Sequence, residues 1–308
     1  MLSRPVVEVI INANSGLNAK DEKHQYLSEI FSTGGLDARI SVAHNGKQIV
    51  ELARRAAHGA SQTIIAGGGD GTVNAVASAI VGTRKTLGVL PMGTFNHFAK
   101  DLHIPLDLNG AVRNIIAGNV TRVDVGEVNG HVFINNSSLG LYPSIVRHRE
   151  KNQRLGRRKW PAYVWATFTV LRRYPFLSVR LGVDGQELAC RTPFVFIGNN
   201  EYEMELFNIG ARRCLDAGRL SIYTAHLTGR IGLLRLALRA CLGRLRAAKD
   251  FDARCAKEVL IETRRKRLRV AMDGEVVVMS TPLHYRVRHG ALRVIVPGNS
   301  EKAHERSY

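Results

Sequence analysis

The feature that most constrains the fold is a glycine loop set between a strand and a helix: GGGDGT, residues 67–72. It follows the apolar run Thr63 to Ala66 and precedes a helical pattern from Thr72 to about Val81. Three consecutive glycines followed by a carboxylate are expected to serve a ligand and not packing. A strand that ends in glycines and feeds a helix lets bare backbone N–H groups close on phosphate oxygens, and the helix N-terminus adds positive potential. Neither G-x-x-x-x-G-K-[ST] nor G-x-G-x-x-G occurs, which sets aside a P-loop and a dinucleotide fingerprint. Thr72 is placed to cap the helix or to donate to a phosphate, and Asp70 to hold magnesium or a bridging water.

The surrounding residues keep the same rhythm. Val6 to Ile11 reads as a buried strand ending in the turn cluster NANSG (12–16), and Lys20 to Thr33 as a helix. Asp37 to Ala43 alternates as a strand, Gln48 to His58 is helical, and Thr86 to Leu90 is a strand closed by Pro91. Strand and helix alternating at this pace specify an α/β domain with a parallel doubly wound sheet. Past Val120 the rhythm changes to short strands, with hairpin signals VDG at 183–185 and MDG at 272–274. The expected strands are Val132 to Asn135, Leu177 to Val183, Glu187 to Ala189, Pro193 to Ile197 and Arg219 to Thr224. They continue with Val259 to Thr263, Leu268 to Met272, Glu275 to Met279, Leu283 to Val287 and Leu292 to Val296. Helices are expected near 141–172 and 229–249, and a polar tail from Ser300 to Tyr308. The expectation is a nucleotide-binding domain over residues 1–130 and a mainly antiparallel β domain over residues 131–308, its last strand free to return to the first domain.

A second string, LPMGTFNHFAKDLHIP (90–105), places Pro91 and Gly93 in a tight turn after a strand, with Thr94 and Asn96 offering a hydroxyl and an amide. Ligands of doubly wound sheets bind at the carboxyl ends of the strands. There NANSG, GGGDGT and PMGTFN should converge. GGGDGTVN followed some twenty residues later by PMGTFNHFAKDL resembles the catalytic domain of the diacylglycerol kinase family. The likeness is strongest to the bacterial soluble lipid kinases related to sphingosine kinases. FIGNNEYE (196–203) and MDGE (272–275) extend it into the second half. GGDGT alone is shared with NAD kinases and phosphofructokinases, so PMGTFN carries most of the weight.

The resemblance implies ATP-dependent phosphorylation of a diacylglycerol-like lipid alcohol, with Mg²⁺. It implies nucleotide contacts from Asn12, Gly16, Gly67, Gly68, Gly69, Asp70, Gly71, Thr72, Asn74, Gly93, Thr94 and Asn96. It also implies catalytic carboxylates at Asp273 and Glu275, contributed by the β domain, whereas read locally MDGE is a plain hairpin turn. Two departures matter. His97 stands where relatives often have Asp. CLDAGRL (214–220) keeps Asp216 as a metal candidate but has Ala217 where the family's structural metal site has a second acid, and alanine has no oxygen to give a hard cation.

Charge separates the two halves. Residues 1–130 hold 12 Lys/Arg and 11 Asp/Glu, and residues 131–308 hold 32 and 15. Such asymmetry points to an anionic surface as partner of the second half. RHREKNQRLGRRKW (147–160) has seven Lys/Arg against one acid, and 229–249 sets a leucine stripe beside an arginine stripe. The expectation is a cytoplasmic enzyme bound peripherally to anionic membrane where its lipid substrate sits, with no nucleic acid partner. The apolar stretch Ala162 to Leu171 is too short to span a bilayer. Cys190, Cys214, Cys241 and Cys255 lack C-x-x-C spacing, against a zinc site or disulfide framework. An NAD-kinase-like phosphotransferase, a nucleic-acid binder and a degenerate kinase fold that senses lipid are the alternatives.

Overall fold

The computed structural model describes residues 4–15, 20–140, 176–183, 185–205, 208–212, 214–225 and 251–298. The expected helices at 141–172 and 229–249, the basic segment 147–160, Gly16 and the C-terminal tail lie outside these residues. The chain divides into two units. Met1–Val125 with His289–Tyr308 form one, and Gly126–Arg288 the other.

The first unit opens with β1 (Val6–Asn12), α1 (Lys20–Thr33), β2 (Asp37–Ala43) and α2 (Gly46–His58). It continues through β3 (Thr63–Gly68), α3 (Asp70–Ile80), β4 (Thr86–Pro91), α4 (His97–Asp101) and α5 (Leu108–Ala117) to β5 (Val120–Val128), whose end from Gly126 onward belongs to the second unit. β1 lies between β2 and β3 and β3 pairs with β4, every pair parallel. Parallel neighbours bring the carboxyl ends of β1, β3 and β4 to one edge. Near-continuous apolar runs form these strands because helices cover the sheet. Val9, Ile65, Leu90 and Ile295 pack with Leu27 and Phe31 of α1 and with Val112 and Ile115 of α5. Helix ends are set locally. Asn45 accepts from the Gln48 N–H at 3.0 Å to start α2, and Asp107 accepts from the Gly110 N–H at 2.7 Å to start α5.

The second unit is antiparallel. It contains β6 (His131–Phe133), β7 (Asn136–Gly140), β8 (Leu177–Val183), β9 (Gln186–Thr192) and β10 (Phe194–Asn199). β11 (Tyr202–Glu205), β12 (Asn208–Arg212), β13 (Leu220–Ala225) and β14 (Phe251–Ala256) follow. The unit closes with β15 (Glu258–Thr263), β16 (Arg267–Met272), β17 (Glu275–Ser280) and β18 (Leu283–Ile295). One six-stranded sheet runs β14-β13-β10-β7-β16-β17. β15 lies between β8 and the first part of β18, and β8 pairs with β9. The inward faces share a core of Leu139, Ile197, Ile222, Val259, Val270 and the fully buried Tyr285, whose hydroxyl lies 3.0 Å from Ser137 Oγ.

Two expectations change. The runs Leu283 to Val287 and Leu292 to Val296 are one 13-residue strand, β18. Its first part pairs with β15 and its last part is parallel to β4 in the first unit. The helix after the glycine loop begins at Asp70, so Gly69 is its N-cap and Thr72 sits buried inside the first turn.

Candidate functional site

Asn12 closes β1, and its side chain links two loops. Its Oδ1 accepts from the Asn14 N–H at 3.0 Å and its Nδ2 donates to Thr72 Oγ1 at 3.3 Å. Gly67 and Gly68 end β3 opposite Leu90 and Pro91 of β4, and the Met92 N–H donates to the Gly68 carbonyl at 3.0 Å. The Gly69 carbonyl accepts from the N–H groups of Thr72 and Val73 at 2.9 and 3.1 Å.

The glycines have packing reasons, which corrects the expectation that a ligand alone requires them. A Cβ on Gly68 would overlap the Thr72 side chain, and one on Gly93 would overlap the Gly69 Cα. A Cβ on Gly67 would lie 3.1 Å from Ile11 Cγ1 and 3.3 Å from Met92 Sδ. The loops after β3 and β4 therefore touch backbone to backbone. That contact leaves main-chain amides, and few side chains, at the N-terminal turn of the 11-residue α3. The first turn of any helix carries N–H groups without intrahelical partners and a positive potential. The arrangement can take an anion of phosphate type.

Asn96 is the clasp of the second loop. Its backbone is left-handed (φ 49°), its Oδ1 accepts from the Gly93 N–H and its Nδ2 donates to the Gly93 carbonyl, both at 2.9 Å. Each end of the amide is thus engaged by the loop itself, so Asn96 fixes the shape of the loop. Thr94 and Phe95 are exposed at the tip, and Phe95 stacks on the exposed His97 with ring centres 5.6 Å apart. Asp70 Oδ1 accepts from the Phe98 N–H at 3.2 Å, which ties α3 to α4. Gly71 is exposed on the first turn of α3, and one turn on Asn74 Oδ1 is buried with no hydrogen-bond partner.

In the second unit, MDGE is a two-residue hairpin between β16 and β17. Met272 pairs with Glu275, and Asp273 and Gly274 both have positive φ, 46° and 89°, as such a turn requires. The turn aims the Asp273 carboxylate into its own unit. Oδ2 accepts from the Ile134 N–H at 2.7 Å, and Oδ1 from the N–H groups of Asn135 and Asn136 at 2.9 and 3.0 Å. The residue as a whole is half-buried, and burial is the strongest influence on its carboxylate. Burial pushes its pKa up to about 6, against the three N–H donors and the Arg212 cation, which pull it down. Glu275, two residues on, is exposed.

Residues that were not anticipated support this carboxylate. Arg212 is 6% exposed, and a buried guanidinium needs acceptors. It donates to the carbonyls of Ile134 and Asn199 at 2.7 and 3.3 Å and to Asn135 Oδ1 at 3.0 Å, with Tyr202 against its face. Asn199 Nδ2 adds a bond to the Ile134 carbonyl at 3.0 Å. The segment 134–136 thus has an anion on its N–H side and a cation on its carbonyl side. FIGNN was the only sequence signal for this network, since an arginine isolated in sequence gives none.

Asp216 is exposed, and the neighbouring Ala217 N–H is bonded to Asn200 Oδ1 at 3.1 Å. Among the described residues no three His, Cys, Asp or Glu gather as a metal cage, and Asp216 is the one carboxylate in the 214–220 loop. Asp70 fits magnesium as a single carboxylate, because Mg²⁺ in nucleotide sites takes one or two protein carboxylates with phosphate oxygens and waters.

Comparison with known proteins matches both halves of the chain. Residues 6–128 match the model of the diacylglycerol kinase catalytic domain, and residues 140–296 that of the YegS C-terminal NAD kinase beta sandwich-like domain. A protein of Staphylococcus aureus (strain JH9) named diacylglycerol kinase is 33% identical over 199 residues, which are 63% of this chain and 62% of that relative. A crystal structure from Bacillus anthracis str. Sterne superposes with TM-score 0.74 at 24% identity, over 96% of this chain and 98% of that one. Another from the same source, of a diacylglycerol kinase, gives 0.69 at 22%, over 96% and 97%. At these identities the structures establish the fold, an α/β domain with a mostly parallel sheet followed by an antiparallel β domain.

Two outcomes follow from this geometry. Gly68→Ala should cost about 1–3 kcal/mol of stability by overpacking against Thr72, read from urea denaturation; an unchanged midpoint would remove the packing role. Asp273 should titrate near pH 6 in a carboxyl-carbon NMR experiment, and Arg212→Met should raise that midpoint further by removing a cation that lowers it. Because the folded pKa lies above the unfolded value, the folded state alone holds the proton between about pH 4 and 6. The group's stabilising contribution is therefore complete below that window and lost as pH rises through about 6.

Proposed function

The chain belongs to the diacylglycerol kinase catalytic-domain family, in the form that carries a YegS-type C-terminal domain, and from that premise we propose that it is an ATP-dependent lipid kinase. The acceptor is the hydroxyl of a diacylglycerol-like lipid alcohol. The observation that carries the reading is the convergence of Asn12, Gly67 to Gly69 and the loop from Gly93 to Asn96 on one sheet edge, at the N-terminus of α3. A triphosphate suits that edge because its oxygens need donors at close range, and backbone held open by glycine supplies them.

Phosphoryl transfer asks mainly for positioning and charge neutralisation. The linked loops hold the phosphate groups, with the Asn12–Thr72 bond fixing one against the other. Magnesium, when bound with the nucleotide, supplies neutralisation of the charge on the phosphoryl oxygens, and Asp70 is the residue suited to hold it. Asp273 accepts the proton of the acceptor hydroxyl. Three N–H donors fix its orientation, and a pKa of about 6 leaves it ionised yet basic enough near neutrality. Glu275 serves as a neighbouring charge.

The test is a screen of radiolabelled ATP against lipid alcohols in mixed micelles, followed by a pH–rate profile. Label should enter at least one lipid, with a rate that rises through about pH 6. Glu275→Gln should keep that profile and lose no more than a few-fold. A loss of about 10²- to 10⁴-fold in that variant, the usual cost of a missing general base, would transfer the role to Glu275. Label in no lipid would overturn the reading.

A further inference from the structure

The turn from β15 into β16 reads Arg264, Arg265, Lys266, Arg267, and β16 adds Arg269 two residues on. All five side chains are exposed, and among the described residues none forms an ion pair or a side-chain hydrogen bond. Five cations within six residues and without a carboxylate partner leave a concentrated positive potential. The platform beneath them is firm. The Thr281 N–H donates to the Lys266 carbonyl at 3.1 Å and the Thr281 hydroxyl to the Arg265 carbonyl at 2.6 Å.

Period-two alternation decides what lies beside the cations. Val277 and Met279 of β17 turn inward to the core of the second unit. Val278 turns outward opposite Arg269, and Ser280 stands opposite Arg267. Val278 is 59% exposed, the most exposed of the large apolar side chains described. An aliphatic group displayed among cations suits an interfacial surface, where the apolar group enters the headgroup boundary and basic groups meet phosphates.

We propose that the basic turn 264–267 and the outward face of the β16–β17 hairpin dock on the anionic face of a lipid bilayer. The surface rests for its purpose on the lipid-kinase reading, since an acceptor that lives in a bilayer must be met there. Headgroup phosphate is the complementary charge. Single-stranded nucleic acid is the poorer fit because its binding surfaces stack bases on aromatic rings, and the outward positions of this hairpin that are not buried (267, 269, 276, 278 and 280) hold none. Arg267 and Arg269 share β16 with Met272, whose neighbour Asp273 begins the carboxylate turn. Docking would therefore hold the turn within about 20 Å, the span of six residues at the strand rise, of the lipid surface.

Sedimentation of the full chain with phosphatidylcholine vesicles, with and without phosphatidylglycerol, tests this. Binding should need phosphatidylglycerol and weaken as salt rises, because exposed charges are screened. Arg265→Glu/Lys266→Glu/Arg267→Glu should lose roughly a hundredfold in vesicle affinity, and Val278→Ser about threefold. Both variants should match the unsubstituted chain in melting temperature and in turnover of a short-chain diacylglycerol in uncharged micelles. The carbonyls that pin the turn survive the substitutions, so the fold is kept. A triple variant that sediments like the original chain overturns the docking surface and leaves the kinase reading standing. So does an original chain that holds a short RNA more tightly than the anionic vesicles while Val278→Ser changes nothing. If no micellar lipid is phosphorylated by the original chain, the kinase reading falls, and the vesicle comparison still decides the surface.

Discussion

Three peptide N–H groups converge on one carboxylate, and the polar interior of the second unit is arranged around that convergence. Asp273 fixes Ile134, Asn135 and Asn136 from the N–H side, while Arg212 and Asn199 hold the Ile134 carbonyl from the other. Asn136 begins β7, which lies between β10 and β16 in the six-stranded sheet. The same carboxylate therefore sets the register of a central strand and anchors the turn that bears it. An amide in its place would put an NH₂ group against one of the N–H donors, and a buried donor left facing a donor costs about 1–3 kcal/mol. Asp273→Asn thus changes structure as well as charge, and Glu275, exposed and outside the network, is the cleaner position at which to separate the two.

The first unit solves its problem with backbone. Three parallel strands deliver three loops to one edge, and loops crowd there unless side chains are removed. Gly69 and Gly93 let the second and third loops meet, Gly68 makes room for Thr72, and Asn96 closes the third loop by bonding Gly93 at both ends of its amide. The residues that crowding removes would otherwise cover the amides at the start of α3. Packing and ligand chemistry therefore ask for the same residue at these positions, so neither can be excluded by finding the other.

That coincidence explains what was legible in the sequence. Period and punctuation marked β1 to β4 and the hairpins at VDG and MDG, because a buried parallel strand is an apolar run and a two-residue turn demands glycine. β7 escaped notice because NSSLG looks like a loop; it is a strand because its neighbours pair with it on both edges and Ser137 has a buried partner in Tyr285. α5 escaped because Asn109 and Gly110 in its first turn resemble a turn signal, while Asp107 caps it from outside the apolar pattern. His289 and Gly290 imitate a break inside β18, yet both bond Asp124 at 2.8 Å and the strand continues. In the candidate site, the identities of the loop residues were readable but their partners were not. That Asn96 binds Gly93 and Asp70 binds Phe98 follows from tertiary proximity, which no local pattern encodes.

The pKa of Asp273 runs against its hydrogen bonding. Three N–H donors and a nearby cation would normally hold a carboxylate well below its usual range, yet enclosure outweighs them and pushes it up to about 6. Above that pH the ionised group costs the fold on the order of 3 kcal/mol relative to an exposed aspartate. Both carboxylate oxygens are used as acceptors, and an amide offers only one, so the clamp itself calls for a carboxylate at this turn. The large apolar core behind the hairpin, with Val270, Met272 and Tyr285 buried, is what allows the second unit to carry that cost.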